Sequence, residues 1–291
     1  MDYLQVLVLA IVQGIAELLP VSSSAHVIMA EKLMGLDPSA PAMTLLLVML
    51  HTGTMLAVIV YFWKSWRARY FSSKHAFVHN AKQVVIATAF TGVIGLALML
   101  FIEKGLMRGS EHAEIEHLFG NLYITSAGLA MAGLLILISG RKRAPTDDRP
   151  ICAEMTAEMR AADSAWIGAV QGLCLPLRGF SRSGSTISTG MLRGLDRVRV
   201  EEFSFALAVV LTPPVIVKEA YRLYSSGGAH TLSGHFATVL APCLAGMVFS
   251  FLAGLIALRW LSRWLEHGRW YLFGIYCLAA SAAVLAASQV M

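Results

Sequence analysis

Apolar positions along the chain are grouped into runs long enough to cross a bilayer. A membrane-spanning helix needs about 20 consecutive apolar residues, and six stretches of the sequence reach that length. Polar and charged residues are concentrated between these runs. The pattern predicts an all-α polytopic membrane protein with spans near residues 41–63, 83–102, 119–140, 203–222, 236–258 and 270–290.

Two further apolar segments, residues 3–36 and 164–192, are interrupted by serine, glycine and proline. Both contain Val-Gln-Gly, which begins at Val12 in the first segment and at Val170 in the second. A serine-rich break follows the motif in each copy. This recurrence indicates a duplicated segment whose helices are broken inside the membrane.

The charges between the apolar runs indicate the side on which each loop lies. Short cytoplasmic loops carry an excess of Lys and Arg. Loops 64–82, 141–163 and 259–269 are basic, whereas loop 103–118 holds four glutamates and loop 223–235 has no Lys or Arg. The basic loops are therefore expected in the cytoplasm and the other two outside.

The interrupted segments fit this assignment only if each enters and leaves the membrane on one side. If residues 164–192 crossed the bilayer, the arginines of every later loop would change sides. We therefore expect a re-entrant helical hairpin in each half, followed by three transmembrane helices. Because three is odd, the halves would form an inverted-topology repeat. The predicted boundaries are repeat one in 1–140, repeat two in 164–291 and a cytoplasmic join in 141–163.

Composition agrees with a single integral membrane domain. Hydrophobic residues make up 57% of the chain and charged residues 14%, far from the averages of soluble proteins. The four cysteines include no CxxC pair, which argues against a disulfide framework and a zinc site. The net charge of +5 comes from the loops and does not indicate nucleic-acid binding.

The first interrupted segment carries an acid, hydroxyls and a base. Glu17 is the only charged residue between positions 3 and 30, and a carboxylate at that depth is costly unless it is compensated. Ser22, Ser23 and Ser24 follow a proline, and hydroxyls at a helix N-terminus suit phosphate oxygens. A serine there can also simply cap a helix, and His26 alone could be a core histidine. Together with Glu17, the cluster favours catalysis.

The second interrupted segment supplies a cation instead. Arg182 stands among Ser181, Ser183 and Thr186 and between two glycines. A guanidinium fork matches phosphate oxygens bidentately. Acid, base, nucleophile and cation together are the groups that phosphoryl transfer requires.

These motifs resemble those of the undecaprenyl-pyrophosphate phosphatase (bacitracin-resistance protein) family. QGIAELLPVSSSAH at residues 13–26 resembles its first signature and RGFSRSGSTI at 178–187 its second, and the run HTGTMLAVIVYFW at 51–63 is similar to its following span. The resemblance covers the chain in order and spacing. It implies removal of the terminal phosphate of undecaprenyl pyrophosphate, a lipid carrier of cell-wall synthesis. It further implies a divalent cation, Mg²⁺ or Ca²⁺, and an inner-membrane enzyme whose active site opens to the periplasm.

The resemblance also assigns roles to residues. The family's acid, serine, histidine and arginine fall on Glu17, Ser23, His26 and Arg182. Gln13 stands where many members carry a second Glu, and Arg178 where the family usually has Pro. Glu17 and Gln13 are the expected metal ligands. The expected substrate-binding residues are Gln13, Ser22, Ser24, Ser181, Ser183 and Thr186.

Several alternatives stay open at this stage. Either Ser23 or a water attacks the terminal phosphorus, with His26 moving the proton. A lipid-phosphate flippase or an ion-coupled transporter would share the inverted-repeat architecture. His51 either lies around the site or satisfies backbone within its span. Small residues at 127–133 pack helices within one chain or between two, so a homodimer is one outcome.

Another class of lipid phosphatase can be excluded from its motif. The acid-phosphatase-like enzymes require the pattern SRxxxxxHxxxD. Counted from Ser181, the histidine position holds Ser188 and the aspartate position holds Leu192.

Overall fold

The computed structural model describes residues 2–37, 40–102, 104, 122–141, 159–177, 179–225 and 236–290. Every regular element in these ranges is a helix. The helices are α1 (Tyr3–Leu18), α2 (Ser23–Leu33), α3 (Pro41–Tyr70), α4 (Lys74–Phe101), α5 (Leu122–Arg141), α6 (Ala161–Cys174), α7 (Arg182–Leu192), α8 (Arg197–Ser225), α9 (Phe236–Glu266) and α10 (Tyr271–Val290).

The helix lengths follow the same order in each half of the chain. Helices α1 to α5 have 16, 11, 30, 28 and 20 residues. Helices α6 to α10 have 14, 11, 29, 31 and 20. Among the described residues, six helices are long and apolar enough to cross a membrane, and each contains most of one predicted span. The chain is therefore an all-helical, multi-pass membrane protein, as the apolar runs predict.

Two of the predicted loops are largely helical, which corrects the sequence-based boundaries. Helix α3 continues to Tyr70 and α4 begins at Lys74, so only residues 71–73 of loop 64–82 are non-helical. Lys and Arg are good helix formers, and Ser73 caps α4 by accepting a hydrogen bond from the backbone N–H of Ala76. Helix α9 likewise runs to Glu266, into loop 259–269. Most of loops 103–118, 141–163 and 223–235 lies outside the described residues.

The first of two compact units comprises Met1–Leu19, Ser23–Lys64 and Ala208–Leu261. In it α1 packs against α2, and the buried core includes Leu9, Leu46 and Leu50. A Cβ atom at Gly14 would lie 2.7 Å from both the Cβ of Ala253 and the carbonyl oxygen of Ser250. Glycine at this position therefore allows α1 to approach α9 closely.

The second unit comprises Pro20–Ser22, Ser65–Leu207 and Ser262–Met291. Helix α6 packs along α4, α5 packs along α10, and α7 contacts both α5 and α6. An ion pair of 2.9 Å between Asp163 and Arg193 joins the start of α6 to the end of α7. Gly133 of α5 packs against Gly274 of α10, so this small residue serves packing within the chain.

Each interrupted segment is a pair of short helices separated by a break. In the first break, Ser22 has a φ of 69°, an unusual value for a residue with a side chain. In the second break, Gly179 has a φ of +92°, and a Cβ there would lie 2.2 Å from the carbonyl oxygen of Thr125. The second break therefore requires glycine on both conformational and steric grounds.

Candidate functional site

Glu17 is the centre of a polar group in the first unit. It lies in the last turn of α1, and its side chain is 18% exposed. Ser23, the first residue of α2, donates a hydrogen bond of 2.6 Å from Oγ to Glu17 Oε2. Gln13, one helical turn before Glu17, donates from Nε2 to the same oxygen at 3.3 Å. This is the arrangement by which a carboxylate base can activate a serine nucleophile.

His51 of α3 combines the two alternatives considered for it, because it lies beside Glu17 and also bonds to the backbone of its own helix. Its Nε2 lies 3.9 Å from Glu17 Oε2, and its Nδ1 lies 2.8 Å from the carbonyl oxygen of Leu47. A carbonyl oxygen only accepts hydrogen bonds, so Nδ1 carries the hydrogen. Nε2 is thereby left facing the carboxylate. The sequence left this contact undecided, because the two residues are on different helices.

Ser24 and His26 lie on the first two turns of α2, and both side chains are partly exposed. They follow Ser23 directly in this helix. The first turn of a helix also has backbone N–H groups without intrahelical acceptors. Ser23, Ser24 and His26 are thus carried by the same end of one helix.

Arg182 is the centre of a second polar group, in the second unit. It is the first residue of α7 and is partly exposed. Ser181 precedes the helix as its N-cap, and its Oγ accepts a hydrogen bond from the backbone N–H of Gly184 at 3.2 Å. The Ser183 hydroxyl lies 3.5 Å from that of Ser181, and both residues are buried. Arg178 lies outside the described residues.

Thr186 holds the backbone of this group in place. It is fully buried, and its hydroxyl donates to the carbonyl oxygen of Arg182 at 2.8 Å. It also lies 2.6 Å from the hydroxyl of Ser204 in α8. Ser185 donates to the same Arg182 carbonyl at 3.0 Å. Two hydroxyls therefore converge on the main chain of the arginine.

Ser22 belongs to the second unit although it precedes Ser23 in the chain. Pro20, two residues earlier, lies 3.1 Å from the position that a Cβ of Gly184 would take. The carbonyl oxygen of Pro20 accepts a hydrogen bond from Cys277 Sγ at 3.1 Å. These contacts anchor the first break within the unit that holds Arg182.

The Glu17 group offers a carboxylate, an amide and a hydroxyl as oxygen donors to a cation. Clusters of three or more His, Cys, Asp or Glu side chains that could hold a metal do not occur in the described part of the chain. Mg²⁺, however, usually keeps several waters and is bound through one or two carboxylates and substrate phosphates. One carboxylate beside an amide and a hydroxyl matches that mode of binding.

Sequence reasoning missed a pair of buried carboxylates, Glu201 and Glu202, at the start of α8. Glu202 forms an ion pair of 2.9 Å with Nε of Arg69 and accepts a hydrogen bond from Ser65. Glu201 accepts one of 2.6 Å from Ser262. Two glutamates at the end of an apolar run would ordinarily be read as interfacial. Their burial depends on partners more than 60 positions away.

Comparison with known proteins places these motifs in a wider group. The family model of the bacitracin resistance protein BacA matches residues 6–283. The chain is 59% identical over 287 residues to undecaprenyl-diphosphatase 2 of Acinetobacter baylyi, with 98% of each chain covered. It is 34% identical over 297 residues to the undecaprenyl-diphosphatase of Desulfosudis oleivorans, with 98% of each covered. It is 30% identical over 292 residues to that of Acidothermus cellulolyticus, covering 99% of this chain and 97% of the other.

Proposed function

The chain belongs to the bacitracin resistance protein BacA family, and on that premise we propose that it is an undecaprenyl-diphosphatase. It removes the terminal phosphate of undecaprenyl diphosphate and releases undecaprenyl phosphate and inorganic phosphate. The observation that carries this proposal is the 2.6 Å hydrogen bond from Ser23 to Glu17. A transporter would need charged groups only for binding and coupling, whereas an enzyme also needs a nucleophile paired with a base.

We propose that the Glu17 group and the Arg182 group both act in this reaction, because phosphoryl transfer requires the acid, nucleophile and cation that they supply. The Glu17 group supplies a nucleophile and a base, and the Arg182 group supplies a guanidinium and hydroxyls. Arg182, Ser181 and Ser183 bind phosphate oxygens, with Ser22 and Ser24 as further donors, and Thr186 fixes the arginine.

The chemistry follows from the direction of the Ser23 hydrogen bond. Ser23 Oγ attacks the terminal phosphorus in line, and its proton passes to Glu17. The bond from that phosphorus to the bridging oxygen breaks, and undecaprenyl phosphate leaves with the electron pair. A water then attacks the phosphoserine, giving its proton to His26, and the proton on Glu17 returns to Ser23 as inorganic phosphate departs. Direct attack by water would use the same residues, with Ser23 binding a phosphate oxygen.

Glu17, with Gln13 beside it, would hold a divalent cation, Mg²⁺ or Ca²⁺. Such an ion neutralises negative charge on the phosphate oxygens. Because the chain supplies a single carboxylate here, the remaining oxygen ligands would come from substrate and water. Removal of the ion with a chelator should therefore abolish phosphate release while leaving the protein folded.

The short helix pairs are the proposed re-entrant hairpins of an inverted repeat in the bacterial inner membrane. Helix α1, with 16 residues, extends about 24 Å, which is less than the roughly 30 Å of a bilayer core. Helices α2, α6 and α7 are shorter still. The repeated order of two short and three long helices supports the duplication. Non-helical backbone at the breaks is acceptable at depth where it lines a wet cavity, which we expect to open to the periplasm.

The decisive experiment measures phosphate release from undecaprenyl diphosphate by the purified protein with Mg²⁺, with Ca²⁺ and with chelator. Glu17→Gln and Arg182→Gln should each lose at least ~100-fold in rate. Glu266→Gln and Arg67→Gln remove the same charges at exposed positions and should keep normal rates. Folding is checked by thermal unfolding in the same detergent. If folded wild-type protein released no phosphate with metal and substrate present, the enzyme assignment would be wrong, and lipid flipping would be assayed next.

A further inference from the structure

A small basic cavity lies at the turn between α9 and α10, within the second unit. It has a volume of about 240 Å³ and is lined by Arg263, Trp264, His267 and Arg269. None of these residues belongs to the Glu17 or Arg182 groups. The volume suits a headgroup-sized ligand better than a whole lipid.

The cavity has an excess of positive charge. Arg263 and Arg269 are both exposed, and neither guanidinium forms an ion pair within the part of the chain that the structure describes. Glu266 is the one acidic residue among positions 263–269, and it does not line the cavity. Two permanently charged guanidinium groups therefore face the same space, with a histidine between them in sequence.

Three backbone carbonyl oxygens at the C-terminal end of α9 accept hydrogen bonds. These bonds reduce the partial negative charge that the helix dipole places at this end. The backbone N–H of Arg269 donates to the carbonyl of Trp264 at 2.8 Å. Nη1 of Arg197, on α8, donates to the carbonyl of Leu265 at 3.0 Å. The Arg263 carbonyl is 2.6 Å from Nδ1 of His267. These donors offset part of the negative charge at this helix end, and Arg197 adds a further cation beside the turn.

The position of the turn sets the depth of the cavity in the membrane. The candidate spans on either side are Leu240–Glu266 and Tyr271–Gln289, so four residues connect two membrane helices. The exposed aromatic residues Trp260 and Tyr271 flank this connection. Exposed Trp and Tyr at the ends of spans mark the level of the lipid headgroups. The cavity therefore lies at the level of the lipid headgroups, so a membrane lipid is the ligand with the easiest access to it.

We infer that this cavity binds the phosphate group of an anionic phospholipid headgroup. Arginine forks pair bidentately with phosphate oxygens, and basic pockets between membrane helices recognise acidic headgroups. The bare phosphate ion shares this chemistry, so the test includes it. The inference does not rest on the proposed enzymatic function.

The test uses full-length protein in detergent and native mass spectrometry to count bound lipid. The probes are phosphatidylglycerol, phosphatidylcholine and inorganic phosphate. We expect wild-type protein to bind phosphatidylglycerol at least ~10-fold more tightly than phosphatidylcholine and to lose that preference in the double variant Arg263→Gln/Arg269→Gln. Arg67→Gln, which removes an exposed arginine at the end of α3, should keep the preference.

Three results would overturn the inference. The first is equal binding of the two lipids by wild-type protein. The second is a preference for phosphatidylglycerol that the double variant keeps. An equal loss of preference in Arg67→Gln would count in the same way, because it would indicate general attraction to surface charge. The third is displacement of phosphatidylglycerol by inorganic phosphate at equal concentration, which would assign the site to the free ion. Arg263→Lys/Arg269→Lys keeps the charge without the forks, so a loss there in protein with a normal unfolding temperature confirms bidentate recognition.

Discussion

At the scale of single residues, the oxygen Oε2 of Glu17 receives two hydrogen bonds and faces a histidine. Ser23 donates at 2.6 Å and Gln13 at 3.3 Å, and His51 Nε2 lies at 3.9 Å. The shortest of these contacts involves the proposed nucleophile. The order of distances predicts the order in which substitutions should reduce the rate.

Ser23→Ala should lose at least ~10³-fold in turnover, because a covalent mechanism has no path without its nucleophile. Phosphate release in the presence of metal measures this. Ser288→Ala removes an exposed hydroxyl near the end of α10 and serves as the control. Near-normal turnover of a folded Ser23→Ala protein would exclude the covalent mechanism and leave attack by water. A phosphoserine trapped at Ser23 in wild-type protein would establish the covalent mechanism.

His51 should act as a positioning residue, and two substitutions separate its nitrogens. His51→Asn can keep the hydrogen bond to Leu47 but has no atom at the Nε2 position, whereas His51→Gln reaches further toward Glu17. At 3.9 Å the contact between His51 Nε2 and Glu17 Oε2 is too long for a hydrogen bond. A partly exposed contact of this kind is worth up to about 1 kcal/mol, so we expect a fall in kcat of about fivefold or less for His51→Asn. The fall should be smaller for His51→Gln, and KM should change little in both.

His26→Gln provides the comparison for the histidine roles. His26 is the proposed acceptor of the proton from water. Its replacement should therefore lower kcat by ~10²-fold or more. Equal effects of His26→Gln and His51→Asn would mean that the two histidines share the proton transfer. A larger effect at His51 would reverse the assignment.

At the residue scale, the sequence predicts which side chains lie together only where the partners are close in the chain. Glu17 and Ser23 are six positions apart and flank one break, so their proximity follows from local structure. His51 could not be assigned, because its contact depends on how α3 lies beside α1. The Ser23 hydrogen bond also shows which oxygen is engaged, which no sequence pattern contains.

At the scale of helices, the apolar runs located the spans but underestimated their length. An apolar run measures the part of a helix within the hydrocarbon, and α3 continues through Arg67 and Arg69 for its last turns. The same continuation brings Arg69 to Glu202 of α8. The ion pair therefore lies on a part of α3 that hydropathy assigns to a loop, and both its members escaped prediction.

Arg69→Met should destabilise the protein because it leaves the Glu202 carboxylate buried without its cation. Breaking a buried pair by removing one partner costs several kcal/mol. Since the Arg69 side chain is itself 32% exposed, we expect about 3 kcal/mol, at the low end of that range. Thermal or denaturant unfolding in detergent measures the change.

The double variant Arg69→Met/Glu202→Gln is the matched control for this pair. It removes the uncompensated charge and should recover most of the lost stability. If it were as unstable as Arg69→Met alone, lost packing of the arginine stem would account for the effect, and the ion pair would not. Phosphate release by the double variant should stay near normal at temperatures where it remains folded.

At the scale of the whole molecule, the repeated helix order makes equivalent connections identifiable. In the order of short and long helices, α4 and α5 take the places in the first half that α9 and α10 take in the second. Gln13 and Gln171 are both buried at matching positions, and the glycines that follow them both lie at crowded helix contacts. If the halves are inverted, the α4–α5 and α9–α10 connections lie on opposite faces of the membrane. The two connections should then differ in their access from outside.

Cysteine labelling tests this directly. Ser110→Cys, in the predicted outer loop 103–118, should react with a membrane-impermeant maleimide on right-side-out vesicles. Glu266→Cys, at the exposed end of α9, and Ser72→Cys, between α3 and α4, should react only on inside-out vesicles. Wild-type protein labelled in parallel accounts for the native cysteines. Four spans, α4, α5, α8 and α9, separate Ser72 from Glu266, so both positions should react from the same face if the second hairpin is re-entrant. Labelling of Ser110 and Glu266 from the same face would mean that the second hairpin crosses the bilayer, and the arginines of the α9–α10 turn would then face outward against the charge rule.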